Sequence, residues 1–400
     1  GEIKSNLMRD WPADRLLQVA KHGKDGLALV RLEDGRAQVA PATAEEAAAA
    51  IDALDPEVVL YRPVPDTAAL HAFAMATIAR LGRPLVTWIM DDWPDRLAAE
   101  DAKQWARLKP DLEALLARSA LRLSICEAMS AAFETRYGMP FVPLANGVDP
   151  EDWPETPREG GLRLRLRYAG GLAPNMTRES VLRVARAVER LAEAGHDIGF
   201  EINTQKWWYD QSRSLFESLK HTKIGTENRP LPEYRRWLAE ADALLIAYNF
   251  DDATLRYVRY SMANKMPECL ASGAAVLAHG PREVATIDYL GTTGAALVVD
   301  SPDDEAMEME LLMLLCDPAL RAELSAAGRD RAFTRHNLSR LGAELRSHIA
   351  GVTRAAEAAA EAAAQAADPL AQRDREIALL KAQVAELQAS LEAALATGRA

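Results

Sequence analysis

The sequence has few cysteines, and those that it has lie far apart. Cys126, Cys269 and Cys316 stand within apolar stretches of a 400-residue chain and form no CxxC pair. A disulfide framework or a cysteine zinc site needs more cysteines at closer spacing. The cysteines therefore predict packing roles and a reducing, cytoplasmic location.

Long apolar runs and a surplus of positive charge are also missing. No uninterrupted apolar segment approaches the roughly 20 residues that cross a bilayer, and no signal peptide is visible. The formal net charge is −12, from 47 Lys and Arg against 59 Asp and Glu. An acidic chain does not indicate a general surface for nucleic acid or anionic lipid. We expect no nucleic-acid partner and at most peripheral membrane contact.

Apolar segments of strand length alternate with helical segments through most of the chain. This βαβα order predicts an α/β protein whose parallel sheets carry helices on both faces. The length suits two such domains plus one further element. The predicted domains are residues 1–150, 151–350 and 351–400, and the acidic, proline-rich segment 149–161 is a predicted linker. The predicted strands are residues 26–32, 58–61, 85–90, 121–125 and 141–143, and then 162–169, 198–203, 222–225, 243–247, 275–278 and 296–299.

The most informative stretch is SMANKMPECLASG, residues 261–273, which AAVLAHG follows. It predicts a helix that starts at Ser261 and ends at a glycine, followed by a buried strand from Ala275. Free backbone N–H groups at the helix start favour a diphosphate, and Lys265 adds a positive charge one turn further on. Glu268 shares that helix face, so its carboxylate can accept hydrogen bonds from a ribose diol. An ordinary helix with an i,i+3 ion pair is the alternative.

This stretch resembles a signature of the GT-B glycosyltransferases, most closely of the family-4-like group of retaining enzymes. The signature reads S-x-x-x-K-x-x-E-x-x-A-x-G-x-x-V, and the chain carries it from Ser261 to Val276. The resemblance covers about 300 residues. Its further segments are LRYAGGLAPN (166–175), ADALLIAYNF (241–250) and RAELSAAGRDRAFTRHNL (321–338) in the second half, and LRLSICEAMSAAFETRYG (121–138) and LANGVDPEDW (144–153) in the first.

The resemblance implies two Rossmann-like domains that face a central cleft. It implies transfer of a sugar from a nucleotide-diphosphate donor to a glycan or lipid-linked acceptor, in bacterial surface polysaccharide or glycoconjugate synthesis. No metal or other cofactor is implied, because helix dipoles and basic groups neutralise the leaving diphosphate. Residues 1–17 lack the strand and glycine-rich loop with which the family opens, so we expect either a truncated first strand or a different opening.

On the donor side, the resemblance places the diphosphate at Ser261 and Lys265. Arg256 and Arg259, from the preceding loop, are second candidates for the same role. A surface position with no ligand is the alternative for either arginine.

Glycines and polar residues at neighbouring strand ends complete the predicted donor site. Gly170 and Gly171 correspond to a family segment whose backbone approaches the phosphates, although any tight strand-to-helix turn uses such glycines too. The position of the base in the family indicates Asn203, Thr204 and the loop at 227–231.

One position departs from the family pattern. Many members carry two glutamates eight positions apart, and here Glu268 fills the second place while Tyr260 fills the first. A tyrosine donates a hydrogen bond but supplies no carboxylate. Retention of configuration remains the expectation. A catalytically degenerate scaffold in a glycan-assembly complex is one alternative, and a nucleotide-sugar epimerase of the same fold is another.

On the acceptor side, two acids and two tryptophans follow a predicted buried strand. Asp91 or Asp92 would orient the acceptor hydroxyl or act as its base, and Trp88 and Trp93 would stack on a sugar face. Arg62, after the preceding strand, has the same topological position. Alternatively, the tryptophans belong to the core and one aspartate caps a helix.

The C-terminal segment predicts two helices. Residues 355–367 are rich in alanine, and Pro369 interrupts them. Beyond the proline, apolar residues recur at alternating steps of three and four over about three heptads. We predict a short coiled coil through which copies of the chain associate; an isolated, partly frayed helix is the alternative. The seam residues are Ile377, Leu380, Val384, Leu387, Leu391 and Ala394.

Overall fold

The computed structural model forms two compact units, Gly1–Ser347 and His348–Ala400. Three sheets lie in the first unit. Part of the predicted linker, residues 157–160, lies outside the described residues, as do residues 1–5 of the opening segment. The described residues are 6–33, 36–64, 67–156, 161–367 and 369–397.

The first sheet is an antiparallel meander. Its central strand β2 (Gly26–Glu33) pairs with β1 (Gln18–His22) on one side and with β3 (Arg36–Ala42) on the other. A strand is therefore present where the sequence predicts one, but its assignment to the parallel βαβ series is wrong. Gly23, with φ of 61°, lies in the short turn between β1 and β2. Such a turn joins neighbouring antiparallel strands and leaves no room for a crossover helix.

The second sheet has four parallel strands in the order β4-β5-β6-β7, so consecutive strands are neighbours. Its helices begin and end at recognisable signals. Thr43 and Glu46 form a reciprocal capping box at the start of α1, and left-handed glycines Gly82 and Gly138 end α2 and α5. The elements are α1 (Ala44–Leu54), β4 (Val59–Tyr61), α2 (Ala68–Leu81), β5 (Leu85–Trp88), α3 (Trp93–Glu100), α4 (Ala102–Arg118), β6 (Leu121–Ser124), α5 (Glu127–Tyr137) and β7 (Val142–Pro143).

The third sheet has six parallel strands in the order β10-β9-β8-β11-β12-β13. Counted within this half of the chain, that order is 3-2-1-4-5-6, the arrangement of dinucleotide-binding Rossmann folds. All six strands lie where the sequence predicts them. The elements are β8 (Arg163–Ala169), α6 (Arg178–Glu193), β9 (Asp197–Asn203), α7 (Lys206–Ser212), β10 (Thr222–Gly225), α8 (Leu231–Ala239), β11 (Ala243–Ala247), α9 (Asp252–Val258), α10 (Met266–Ala271), β12 (Ala275–His279), α11 (Ala285–Thr292), β13 (Leu297–Val299), α12 (Asp304–Cys316) and α13 (Pro318–Thr334).

Helix α10 is shorter than the sequence pattern predicts. It begins at Met266 and not at Ser261, so the predicted helix start is wrong. The reason is Pro267, which a helix running from Ser261 would carry in its interior, where the ring clashes with the carbonyl group four residues earlier. At the other end Gly273 adopts φ of 77°, which agrees with the predicted glycine stop.

One hydrophobic core runs through both halves of the first unit. Trp93 and Phe133 from the first half belong to the same buried cluster as Val258 and Met266 from the second. Trp153, near the start of the predicted linker, is only 4% exposed and lies in this cluster too. This part of the linker is therefore packed against the protein.

Two long helices end the chain, α14 (Leu338–Ala367) and α15 (Pro369–Thr397). The second begins at the proline that the sequence indicates as an interruption. Within the described residues, no helix combines the length and the apolar character that a membrane span requires.

Candidate functional site

The strand order of the six-stranded sheet changes direction between β8 and β11. Ligands of open α/β sheets bind outside the carboxyl ends of the strands at such a point. Here that edge carries Gly170 after β8 and the pair Tyr248 and Asn249 after β11. The predicted donor residues can be located relative to this edge.

Asn249 ties the two sides of the edge together. Its side-chain oxygen accepts a hydrogen bond from the Ser180 N–H at 3.1 Å, and its side-chain nitrogen donates to the Pro174 carbonyl at 2.8 Å. Its own N–H donates to the Met176 carbonyl at 2.8 Å. The loop after β8 is therefore held against the end of β11.

Both glycines of that loop are closely approached by neighbouring side chains. A Cβ atom on Gly170 would lie 2.7 Å from the Tyr168 hydroxyl, and one on Gly171 would lie 3.1 Å from the Trp208 indole nitrogen. The Tyr168 hydroxyl also donates to the Gly171 carbonyl at 2.7 Å. Packing alone thus accounts for the glycine pair, and its predicted role beside a phosphate stays a prediction.

Residues 259–265 form a loop between α9 and α10 that is fixed mainly by Thr286 of α11. The Thr286 hydroxyl donates to the Ser261 carbonyl at 2.8 Å and accepts from the Ala263 N–H at 3.0 Å. The Ala285 N–H donates to the Arg259 carbonyl at 2.7 Å. Ser261 thus lies in an ordered loop, one turn before the helix that the sequence analysis places it on.

The side chains of Lys265 and Glu268 lie close together. Both the predicted donor site and the alternative, an ordinary i,i+3 ion pair, require this. The Lys265 ammonium nitrogen lies 3.3 Å from a Glu268 carboxylate oxygen, and 4.8 Å from the centre of the Tyr234 ring. The lysine side chain is 48% exposed and the glutamate side chain 19%. The amine is therefore open to an incoming anion, while the carboxylate is largely enclosed.

The other predicted donor residues lie on α9 and the same loop. Arg256 and Arg259 are exposed. Tyr260 is half-buried against the shared core, and its carbonyl accepts a hydrogen bond from the Cys126 thiol at 3.3 Å. Arg256, at the end of α9, and Arg259, Tyr260 and Lys265, in the loop, therefore all lie within residues 256–265.

In the first half, the two adjacent acids have different environments. Asp91 is 49% exposed and pairs with Arg62 at 3.0 Å. Asp92 is 5% exposed and accepts two hydrogen bonds from the Arg136 guanidinium, at 2.6 and 2.8 Å. Asp92 also caps α3 through the Asp95 N–H. These bonds raise the pKa of Arg136 above its ordinary value. Arg136 therefore occupies both carboxylate oxygens of Asp92, and Asp91 is the acid open to a ligand.

The tryptophans on the acceptor side favour the packing alternative. Trp88 is fully buried and Trp93 is 6% exposed. Trp93 also makes an edge contact with the Trp105 ring, with ring centres 6.3 Å apart. The prediction that these two indoles stack on a sugar is not supported, because β5 and α3 direct them into the core. Sequence alone could not separate the two outcomes.

The carboxyl edges of the second and third sheets meet at the candidate site. The Asn146 side chain donates to the Asn264 carbonyl at 3.0 Å, and the Arg96 guanidinium lies 4.9 Å from the centre of the Tyr257 ring. Burial, with a smaller contribution from the negative charge of Asp91, raises the pKa of Tyr248 to about 12. Asp91 therefore acts on the end of β11 across the junction.

The predicted base region holds polar atoms that find no partner among the described residues. The side-chain oxygens of Asn203 and Thr204, at the end of β9, are both of this kind. Asn203 donates from its amide nitrogen to the Glu227 carbonyl at 3.0 Å, so the strand end and the loop after β10 are joined as predicted. Buried oxygens without partners are costly unless water or a ligand supplies a donor.

Two buried histidines lie near the junction and are neutral. His336 donates from Nδ1 to the Asn146 carbonyl and accepts at Nε2 from the Tyr289 hydroxyl, both at 3.0 Å. His279 donates from Nδ1 to the Val299 carbonyl at 3.0 Å. Burial lowers the pKa of each to about 4. Both histidines lie in segments quoted in the sequence analysis, which assigns neither of them a role.

The three cysteines are free thiols. Cys126 and Cys269 are buried, and burial raises the pKa of Cys126 to about 11 and that of Cys269 to about 12. Cys316 is exposed at the end of α12. The predicted packing role therefore fits the first two cysteines, but not the third.

No protein-family model matches the chain, and no curated protein sequence matches it either. Solved structures do match. TarM from S. aureus, in complex with fondaparinux, alpha-GlcNAc-glycerol and UDP, is 10% identical, with a TM-score of 0.58 over 82% of this chain and 62% of TarM. This chain thus spans less than two thirds of TarM.

Two further solved structures match most of their own length. Alr3699/HepE from Anabaena, in complex with UDP and glucose, is 12% identical, with a TM-score of 0.57 over 76% of this chain and 81% of that one. WaaG, a glycosyltransferase involved in lipopolysaccharide biosynthesis, is 13% identical, with a TM-score of 0.53 over 71% and 82%. Identities this low carry the fold alone. The predicted fold is confirmed: the chain has the GT-B fold of these proteins, with Rossmann-like domains and a helical C-terminal tail.

Proposed function

We propose that the chain transfers a sugar from a nucleotide-diphosphate donor to a hydroxyl group of a glycan or lipid-linked acceptor, in the synthesis of a bacterial surface polysaccharide or glycoconjugate. Uridine diphosphate is the nucleotide to test first, because TarM and HepE, which share the fold, were both solved with UDP. WaaG, named for lipopolysaccharide biosynthesis, supports the class of product.

The observation that carries this proposal is the loop at 259–265. It lies where the carboxyl edges of two parallel sheets meet, and the exposed ammonium group of its Lys265 lies beside the largely enclosed carboxylate of Glu268 on α10. A nucleoside diphosphate needs such a pair, because its phosphates are anionic and its ribose carries two hydroxyl donors.

On the donor side, Lys265 would neutralise the charge that develops on the leaving diphosphate, with Arg256 and Arg259 close along the chain. Glu268 would accept hydrogen bonds from the ribose hydroxyls. The unpartnered oxygens of Asn203 and Thr204 would receive donors from the base. No metal is required in this scheme, because the cationic side chains supply the electrostatic stabilisation.

On the acceptor side, Asp91 is the better candidate for the catalytic base, because the carboxylate of Asp92 is already paired with Arg136. The bond between the anomeric carbon and the diphosphate oxygen breaks, the acceptor oxygen bonds to that carbon, and Asp91 or the leaving phosphate takes the hydroxyl proton. Asp91→Asn should lower kcat by about 100-fold and leave UDP affinity unchanged. A turnover equal to that of the unaltered protein would remove Asp91 from the reaction.

Titration calorimetry with UDP tests the donor site. Glu268→Ala should weaken binding by about 1 to 3 kcal/mol, because the ribose loses its acceptor. Glu193→Ala is the matched control, since that glutamate is exposed at the end of α6, by the amino edge of the sheet. No binding of UDP, GDP, dTDP or CMP by the folded protein would overturn the proposal, as would equal affinities of the two variants.

A scaffold that binds nucleotide without transfer is a second candidate, and Tyr260 favours it. The tyrosine stands where many related enzymes have a carboxylate, and its half-buried ring packs against the shared core. If UDP binds but no nucleotide sugar is consumed with any acceptor, and Tyr260→Glu does not create turnover, the scaffold is the better description.

Two finer statements also belong to the proposal. Copies of the chain would associate through α15, and the protein would act in the cytoplasm, where its three free thiols stay reduced. A chain ending at Ala350 should bind UDP with unchanged affinity but lose self-association. If it keeps the oligomeric state of the full chain, the tail is not the oligomerising element.

A further inference from the structure

The apolar seam of α15 is exposed where its side chains are described. Ile377, Leu380, Val384 and Leu387 are 41%, 56%, 53% and 69% exposed. These residues recur at steps of three and four, so they line one side of the helix. An isolated helix gains nothing from such a stripe, whereas a second helix would bury it.

The residue types on the seam indicate how many helices meet. With Ile377 as position a of the heptad, Val384 is the next a position, and Leu380 and Leu387 are the d positions. Within parallel coiled coils, β-branched residues at a together with leucine at d favour two strands. Arg373 falls at the preceding d position, so the apolar seam begins after it.

The charges beside the seam agree with that geometry. Glu376 occupies a g position and Lys381 the following e position, and both side chains are exposed. In a parallel, in-register pair, each g residue faces the e residue five positions later on the other helix, so two Glu376–Lys381 ion pairs form. In an antiparallel pair g faces g and e faces e, and Glu376 then faces no lysine. Only the parallel arrangement uses both charges.

We propose that two copies of this chain associate through a parallel, in-register coiled coil of α15, with Glu376 of each copy paired to Lys381 of the other. This rests on the self-association proposed above. It goes further by fixing the number of chains, their direction and their register.

Matched leucines test the interface. Leu380→Asp places a charge on the seam, whereas Leu379→Asp changes a neighbouring leucine that is 62% exposed at position c. Sedimentation equilibrium of the full chain should give the mass of two copies. Leu380→Asp should raise the dissociation constant by at least about 100-fold, and Leu379→Asp by less than about 3-fold. Equal effects of the two changes, or a monomeric full chain, would overturn the proposal.

Charge reversal tests the register. Glu376→Lys and Lys381→Glu each place like charges opposite one another, so each should weaken association by about 3- to 10-fold. The double variant restores opposite charges and should return to within about 2-fold of the original affinity. Failure of that rescue would contradict the ion pair.

Oxidative cross-linking tests the direction. In a Cys316→Ser background, which removes the exposed thiol, Ile377→Cys should form a disulfide between copies, because parallel helices place residue 377 beside itself. In an antiparallel pair the two positions lie near opposite ends of the seam. A cross-link between Ile377→Cys and Ala394→Cys chains, without one between two Ile377→Cys chains, would show that the direction is wrong, because a positions face d positions in an antiparallel pair. UDP titration does not depend on this seam, so the two proposals can fail separately.

Discussion

At the scale of single residues, two neighbouring carboxylates show that the surroundings of a side chain decide whether it can meet a ligand. Asp91 and Asp92 share a loop after β5, yet one is half exposed and the other is enclosed by a guanidinium group. The enclosed pair links α5 to the start of α3. Breaking a buried pair by removing one charge leaves the other uncompensated, and this is costly.

Asp92→Asn should therefore destabilise the protein. We expect a loss of about 3 kcal/mol in the free energy of unfolding, because Arg136 would keep its charge without an anion. Urea unfolding monitored by circular dichroism measures this loss. Asp95→Asn, at an exposed position on α3, is the control and should change stability by less than about 0.5 kcal/mol. Equal stabilities of the two variants would contradict the assigned role.

The buried histidines predict loss of stability in mild acid. Each has a pKa near 4 in the fold and an ordinary value of 6.5, so the unfolded chain binds more protons between these limits. Stability is therefore full above pH 6.5 and falls as the pH drops towards 4, by about 2 kcal/mol for each histidine at pH 5. His336→Asn should remove about half of that loss between pH 7 and 5, measured by urea unfolding. His22→Asn, which changes an exposed histidine, is the control.

At the scale of elements, close approaches between backbone segments limit which residue types fit at the contact. The residue after Gly147, Val148, pairs with Asn337 and donates its N–H to the His336 carbonyl at 2.8 Å. A Cβ atom on Gly147 would lie 2.6 Å from that same carbonyl oxygen. The segment after β7 can thus lie beside the start of α14 only with glycine at this position.

Gly147→Ala should weaken the contact between the segment after β7 and the residues before α14. The methyl group meets backbone, which cannot swing aside, so we expect a loss of about 2 to 3 kcal/mol and a lower Tm. Gly161→Ala is the control, because a Cβ atom there has nothing within 4 Å. Thermal unfolding of the two variants side by side gives the comparison; an unchanged Tm for Gly147→Ala would show that the contact can shift.

The parallel strands were predictable from sequence because each is a short apolar run between helical segments. Two features that depend on single residues were not predicted. Pro267 makes α10 begin at Met266 instead of Ser261, and the turn at Gly23 makes β2 part of an antiparallel meander. Contacts between residues that are distant in the sequence could not be predicted. Nothing in the sequence joins Asp92 to Arg136 or directs Trp88 inward, because those contacts exist only after the sheets have packed. The sequence named the residues that stay candidates for the donor site, whereas it placed Trp88 and Trp93 in the site although they are buried, and it did not indicate Asn249, Thr286 or Arg136.

At the scale of the whole molecule, the shared core couples the two halves of the first unit. Buried residues from α3 and α5 pack in the same cluster as residues from α9 and α10. Removing one half would expose the apolar surface of the other, so neither half is expected to be stable alone.

We therefore predict that residues 1–347 unfold in one cooperative transition. Calorimetric and van't Hoff enthalpies should agree, as they do for a single cooperative unit. Phe133→Ala, which empties a fully buried site in the first half, should lower the hydrogen-exchange protection of β12 in the second half as well as that of β6. Two resolved heat-capacity peaks, or protection lost in the first half alone, would contradict the shared core.

The three thiols differ in their exposure, and this difference can be used for labelling. Two are enclosed and hold their protons at neutral pH, while the third lies open at the end of α12. A maleimide dye should therefore react once per native chain and three times in denaturant. This sequence thus provides a single attachment point for a fluorescent reporter, with which the proposed binding of UDP can be tested without engineering a new residue.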